Sequence, residues 1–453
     1  MDMKYIIYTM MILLLSVFSQ SCDKFLDEKP QLSAATPDKE EDLRALLDFE
    51  SQINLYYPGL IELGTDDYYL ADVDYGKMLA SYQEAYTWDK EMLSMDVDYW
   101  RLCYNTIMIA NIVLEGVERL QPIKNMDIRG EAMFVRGLAH FYVAQLYSPL
   151  FDKDTDSPYG VPIRLTSDFN VPVTRATVHD TYKQIIDDIK RAIPYLRDQA
   201  SEINRPSKRA AYAALARIYL SMSDYVKARY YANESLKLNA DLMDFNAIDP
   251  TPAFPINPKN VEMIYYGSTI SASSVLHNST ARIPKSIYNS FADNDLRKSV
   301  FFKTVNATEY AFKGYYSGRS ASYFAGFAND ELYLIRSECN ARLGTTKEAL
   351  DDMNKLLENR VRKGTFEKLV VSDTKDLLNL ILNERRKEML FRGVRWSDLK
   401  RLNVDPDYAI DLYREINVNG KIKRYELPAN DSRYLYPIPA EVIMQSDIPQ
   451  NPR

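Results

Sequence analysis

Two stretches of this chain, Ala213 to Ala228 and Leu334 to Ala349, align at an offset of 121 residues, with Ala228 falling on Ala349. In the first, Ala213-Ala214-Leu215-Ala216-Arg217-Ile218-Tyr219-Leu220 leads through Met222-Ser223-Asp224 to a second run carrying Ala228, Ala232 and Leu236. In the second, Leu334-Ile335-Arg336-Ser337-Glu338-Cys339-Asn340-Ala341 reaches its turn at Gly344, where the first copy has Ser223. Small side chains at helical spacing on both sides of a short turn allow two helices to pack closely, so each stretch predicts an antiparallel helix pair. The same period recurs elsewhere. Val135, Leu138, Ala139, Tyr142 and Leu146 share one face of a helix over 131–147, with Pro149 just beyond it. Thr177 starts another, which buries Tyr182, Ile185, Ile186, Ile189, Ala192 and Ile193.

These pairs resemble tetratricopeptide repeats, although they are dispersed rather than tandem. The expected fold is therefore mostly α, with tetratricopeptide-like helix pairs forming an α-α superhelix and an irregular, loop-rich lobe beside it. A helix is also expected to begin at Thr36, with Pro37 in its first turn and Asp38, Glu40, Glu41 and Asp42 following. Two regions leave the helical pattern and supply the lobe. Leu55–Asp98 is rich in Tyr, Asp and Gly, and Tyr265 to Phe327 alternates aromatic pairs with glycine.

The chain has 453 residues, 46% hydrophobic and 26% charged, which excludes a disordered or polytopic membrane protein. Its 56 Lys and Arg against 63 Asp and Glu are scattered, with no basic stripe to follow a phosphate backbone, so nucleic acid is not an expected partner. The three histidines (140, 179, 277) and three cysteines (22, 103, 339) lack transition-metal spacing, and Asp66 to Asp74 lack the glycine and terminal glutamate of a calcium loop. No metal or cofactor is expected. At the N-terminus, Lys4 precedes an apolar run from Tyr5 to Phe18, and Ser19-Gln20-Ser21 leads to Cys22. That run is shorter than the ~20 residues of a spanning helix. The order reads as a signal peptide over 1–21 with Cys22 as the acylated first residue of the mature chain, an ordinary secretory peptide being the other reading. Ser21 fits the position before a lipidated cysteine, whereas Ser19 stands where Leu or Val is usual. Cys103 and Cys339, both in helical segments, are expected as buried thiols.

The stretch Asn383-Glu384-Arg385-Arg386-Lys387-Glu388-Met389-Leu390-Phe391-Arg392-Gly393-Val394-Arg395-Trp396-Ser397-Asp398-Leu399 resembles a signature of the SusD/RagB family of outer-membrane nutrient-uptake lipoproteins. Five further pieces agree in order. They are Cys22 to Asp27, Trp100 to Asn111, Gly130-Glu131-Ala132, Thr174 to Thr177, and the ending Tyr436-Pro437-Ile438-Pro439 with Gln450-Asn451-Pro452. The resemblance implies a signal peptide over 1–21, an N-terminal region over 22–260 and a C-terminal region over 261–453. It also implies a lipoprotein facing outward from the outer membrane. Such a protein would act as a lid on a SusC-like TonB-dependent transporter and capture oligosaccharides or peptides without catalysis.

Two constellations compete for the site. Glu384 and Glu388, one helical turn apart among arginines, have the form of a glycosidase acid pair. Glu388 and Arg392 also stand at ion-pair spacing, and carboxylates neutralised by arginines make poor acids, so the cluster is expected to hold the fold together. Loop aromatics beside polar groups suit a sugar, whose C–H face packs on a ring while its edge hydroxyls take hydrogen bonds. The candidates are Tyr56, Tyr57, Asp66, Asp67, Tyr68, Tyr69, Asp72 and Tyr75 in the first region, and Tyr265, Tyr266, Tyr315, Tyr316, Arg319, Tyr323 and Phe324 in the second. Tyr142, Tyr147, Tyr212, Tyr219, Tyr225, Tyr230 and Tyr231 are expected in helix packing, and Trp88 and Trp100 in the core. A tetratricopeptide scaffold for a soluble protein partner, and a glycoside hydrolase, are the readings from other classes.

Overall fold

The computed structural model describes residues 37–92, 99–270, 273–320, 322–418 and 420–453. Cys22, its tether and Thr36 lie outside them. Ten helices of eight residues or more occur among the described residues: α1 (Glu40–Leu47), α2 (Tyr99–Arg119), α3 (Asp127–Tyr147), α4 (Val178–Ala192), α5 (Lys208–Ser221), α6 (Tyr225–Leu238), α7 (Asn329–Arg342), α8 (Thr346–Glu358), α9 (Thr374–Glu388) and α10 (Arg395–Leu402). α1 starts four residues after Thr36, with Lys39 rather than Thr36 at its N-cap.

The helices pack in sequence, α2 on α3, α3 on α4, α5 on α6, α6 on α7 and α7 on α8, with α9 against α7. This is the expected superhelix. Nineteen of the 21 residues of α3 are buried, because α2, α4 and the lobe enclose it on several sides. The caps follow from sequence: Thr177, Ser207 and Asp224 each accept the backbone N–H three residues on. The repeat offset also places Arg217 of α5 opposite Glu338 of α7. Both are buried and each finds the opposite charge, Arg217 on Glu331 at 2.6 Å and Glu338 on Arg401 at 2.6 Å.

The two irregular regions, some 200 residues apart, form one lobe. Ten strands among the described residues, all but the last two in or beside these regions, make five two-stranded sheets: β1 (Tyr57–Pro58), β2 (Tyr69–Leu70), β3 (Met263–Tyr265), β4 (Thr269–Ile270), β5 (Ala281–Arg282), β6 (Phe302–Asn306), β7 (Glu309–Phe312), β8 (Phe327–Ala328), β9 (Leu412–Val418) and β10 (Lys421–Leu427). β1 pairs parallel with β4, while β2 with β5 and β3 with β8 pair antiparallel, as do the hairpins β6–β7 and β9–β10. Asn54 ties the two regions further, its side-chain amide donating to the Tyr266 carbonyl at 2.9 Å. Arg217 fastens the lobe to the scaffold by donating to the carbonyls of Ala325 and Gly326. Gly326 has room for nothing larger, since a Cβ there would sit 2.0 Å from the Tyr265 carbonyl oxygen.

The Glu/Arg signature spans α9, a tight turn and α10. The expected Glu388–Arg392 pair does not form. α9 ends at Glu388, and the chain reverses through Phe391 and Gly393 at φ of +55° and +71°, so the two residues are not on one helix. Glu388 instead bridges Arg297 at 2.9 Å and Arg360 at 2.7 Å, while Arg392 meets Asp330 at 2.8 Å. Trp396, Leu399 and Phe391 fill the surrounding core. The tyrosines assigned to helix packing divide. Tyr142, Tyr147 and Tyr219 are buried, Tyr212, Tyr225 and Tyr231 are half-buried, and Tyr230 is 56% exposed because it faces outward from α6. Trp88 and Trp100 are buried, as are Cys103 and Cys339, which form no disulfide.

Candidate ligand-binding surface

Most of the candidate aromatics lie inside the lobe. Tyr56, Tyr57, Tyr68, Tyr265, Tyr266, Tyr315, Tyr316, Tyr323 and Phe324 are all at most 5% exposed, which leaves no free ring face for a sugar. They pack on one another and on the scaffold. Tyr57 stacks on Tyr56 and meets Tyr142 of α3 edge-on at 4.5 Å, and Tyr265 meets Phe134 at 5.2 Å. Tyr323 stacks on Phe391 of the signature turn, and the Arg392 guanidinium sits 4.1 Å from the Tyr316 ring centre. The physical reason is the joining of the two regions: pairing β1 with β4 and β2 with β5 turns both sets of rings toward a shared interior. These rings dock the lobe.

The acidic candidates divide as well. Asp67 is buried, and burial raises its carboxyl above the usual range, with Asp66 adding to the effect. Asp66 is bridged by Arg395 at 2.7 Å and Arg386 at 2.7 Å, which hold its carboxyl below the usual range against the opposing effect of burial. Glu62 lies beside them, fully buried, and accepts the Gly393 N–H through one oxygen while the other lacks a partner. Burial raises its carboxyl well above the usual value, and the neighbouring Asp67 raises it further.

The sign of this shift gives a prediction. A carboxyl raised on folding binds more protons folded than unfolded above its unfolded value of about 4.5, so its contribution to stability falls as pH rises from there. Glu62→Gln keeps an acceptor for Gly393 and removes the titration. Denaturant melts of the variant should lose part of the decline between pH 4.5 and 7, worth up to ~1.4 kcal/mol per pH unit, and match or exceed the parent at pH 7. A variant much weaker at pH 7 with an unchanged slope would contradict this.

The remaining candidates reach the surface. Tyr69 and Tyr75 are half-buried, while Asp72 and Arg319 are exposed; Asp72 accepts the Asn417 N–H, and Arg319 donates to the Tyr266 hydroxyl at 3.2 Å. Tyr69 belongs to a patch on β2, β5 and β7: its hydroxyl donates to Glu309 Oε1 at 3.4 Å, and Arg282, its partner across the β2–β5 pair, lies 3.8 Å from Glu309. A groove of about 570 Å³ runs between the short helix Lys285–Asn289 and α9, lined by Ser286, Ile287, Ser290, Leu380, Asn383, Glu384, Arg386 and Lys387. Patch and groove share the same chain segments. Tyr69 is three residues past Asp66, which holds Arg386, and Arg282 is four residues before Ser286.

Ile287 and Leu380 are the apolar members of the lining, and hydroxyl, amide and charged groups make up the rest. Glu384 is already committed. It receives Arg297 and Lys387 at 2.6 Å each, and these cations keep it below the usual range although burial opposes them. It is therefore a poor proton donor but a fixed acceptor. Arg282, Glu309, Ser286 and Ser290 are not singled out in the sequence, because isolated polar residues outside an aromatic cluster carry no pattern of their own, and Asn383 reads there only as part of the Glu/Arg signature.

This architecture has known relatives. A SusD-like family described as starch-binding and associating with the outer membrane matches residues 24–220, and the SusD family matches residues 303–453. The chain belongs to the SusD/RagB family. SusD-like protein P2 of Formosa agariphila is 24% identical over 418 residues, covering 78% of this chain and 80% of that protein. A crystal structure of a putative sugar binding protein from Bacteroides vulgatus superposes with a TM-score of 0.73 at 18% identity, over 92% of this chain and 99% of that one. A SusD superfamily protein from Bacteroides thetaiotaomicron superposes with a TM-score of 0.70 at 21% identity, over 91% and 98%. Family membership supports a role in binding carbohydrate for nutrient uptake. No described helix is long and apolar enough to cross a membrane.

Proposed function

We propose that this protein is a non-catalytic, surface-exposed nutrient-binding lipoprotein that captures oligosaccharides as the lid of a SusC-like TonB-dependent outer-membrane transporter, anchored through Cys22. The groove between Lys285–Asn289 and α9, with Tyr69 and Arg282 on chain segments that lead to its lining residues, carries the reading. Apolar side chains among fixed donors and acceptors suit the C–H face and hydroxyl edge of a sugar ring. The ion pairs around Glu384 speak against acid catalysis there, since a general acid needs a raised and free carboxyl. Calorimetry of the mature chain against an oligosaccharide panel tests the assignment. Tyr69→Ala and Asn383→Ala should each weaken a bound glycan about tenfold, roughly 1.4 kcal/mol, with little change in stability. Unchanged affinity in both variants would remove the groove from the account. Binding confined to peptides would keep the lid and change its cargo.

A further inference from the structure

Phe169 is 81% exposed, the most exposed aromatic ring among the described residues, and its neighbours Leu165 and Val171 are 48% and 43% exposed. The loop that carries them is firmly braced. Arg164 donates to the carbonyls of Val171 at 2.7 Å and Asp168 at 2.9 Å. Asn111 of α2 holds the carbonyls of Arg164 and Thr166, and Glu115 accepts from Thr166 Oγ1, the Ser167 N–H and its hydroxyl. Phe169 is thus presented to solvent by a fixed scaffold.

The place where this happens matters. Glu115 is one turn from the C-terminal end of α2, where Arg119 donates to the carbonyl of Pro37, the first described residue. Glu40 joins the same end, accepting from the backbone N–H groups of Lys124 and Asn125, and Met126 beside them is 42% exposed. The exposed apolar side chains therefore gather where the chain enters from Cys22, 15 residues earlier. That length reaches ~50 Å at most. Of the carboxylates around this end, Glu118 is paired with Arg129, whereas Glu40 and Glu115 keep their charge and accept from neutral donors on Lys124, Asn125, Thr166 and Ser167.

We propose that this end of the α2–α3 pair rests on the lipid surface that holds the Cys22 anchor, with Phe169 inserted at the interface and Leu165, Val171 and Met126 around it. The inference rests on reading Cys22 as acylated. From bulk solution, so small an apolar patch binds lipid weakly, but a tether makes the contact intramolecular and a weak patch becomes effective. The carboxylates of Glu40 and Glu115, held by neutral donors, favour contact with neutral over anionic lipid.

The test couples residues 22–453 through Cys22 to a maleimide-headgroup lipid in phosphatidylcholine vesicles; Cys103 and Cys339 are buried and do not compete. F169W supplies the probe, because Trp88, Trp100 and Trp396 are all buried. On vesicles, the introduced indole should shift to the blue, lose access to aqueous iodide severalfold, and be quenched by lipids brominated in their acyl chains. The same protein uncoupled should show much less of each change. Equal iodide access on and off the vesicle would overturn the proposal and leave the patch to a protein partner. Because coupling supplies the anchor, this outcome is separate from acylation in cells: membrane retention of a Cys22→Ala variant would overturn the lipoprotein reading and leave the vesicle result standing.

Discussion

Replacing Glu388 with alanine is expected to cost the fold about 3–5 kcal/mol. Glu388 accepts Arg297 through one oxygen and Arg360 through the other, and all three side chains are fully buried. Arg360 also meets Glu262 at 2.6 Å, and Arg297 meets Asp295 and Glu384 at 2.6 Å, so the network joins α9 to the lobe and to the end of α8. Removing this carboxylate takes one charge-assisted hydrogen bond from each of two buried guanidinium groups, where water cannot replace it. Glu388→Gln keeps the volume and one acceptor, and should lose less than alanine but more than a surface change. Guanidinium titrations read both variants. A loss below 1 kcal/mol in the alanine variant would mean that the network is not held as described.

The second large effect separates packing from ligand contact. Tyr323 is 2% exposed, stacks on Phe391 and lies 5.3 Å from Tyr315, so Tyr323→Ala opens a cavity at the seam between lobe and signature turn. The expected cost is about 3–5 kcal/mol, read as a lower denaturation midpoint. Tyr323→Phe should keep both stability and glycan affinity, since the hydroxyl has no hydrogen-bond partner. Had this ring been a sugar platform, alanine would abolish binding at nearly constant stability, the pattern expected instead for Tyr69.

The scaffold was legible in the sequence because helix pairs announce themselves locally. Ala213 to Ala228 and Leu334 to Ala349 carry period, small residues and turn within sixteen positions each, and Thr177 caps its helix as its side chain predicts. The lobe was not legible in this way. Tyr57 and Tyr265 have the composition of exposed loop residues, and the pairing of β1 with β4, across more than 200 residues, and of β3 with β8 makes them interior. Tyrosine is also ambiguous by nature, since a ring that suits a sugar face suits a packed seam equally well. The Glu388–Arg392 expectation failed for a related reason. Spacing of four implies contact only on a continuous helix, and α9 ends at Glu388 with Phe391 at positive φ before Arg392, a break that spacing alone cannot show.

Electrostatics link the seam to the site. Asp66, a candidate ligand group in the sequence, serves to hold Arg386 and Arg395, and through Arg386 it shapes one wall of the groove. In the proposed site Asp66 acts by fixing a groove wall through Arg386 rather than by touching its contents.

The most direct measurement is calorimetric titration of the mature chain with defined oligosaccharides, followed by recovery of the glycan. The account predicts saturable binding, glycan returned intact, weakened affinity in Tyr69→Ala and no change in Tyr323→Phe. A response to peptides alone, or a glycan recovered cleaved, would contradict it.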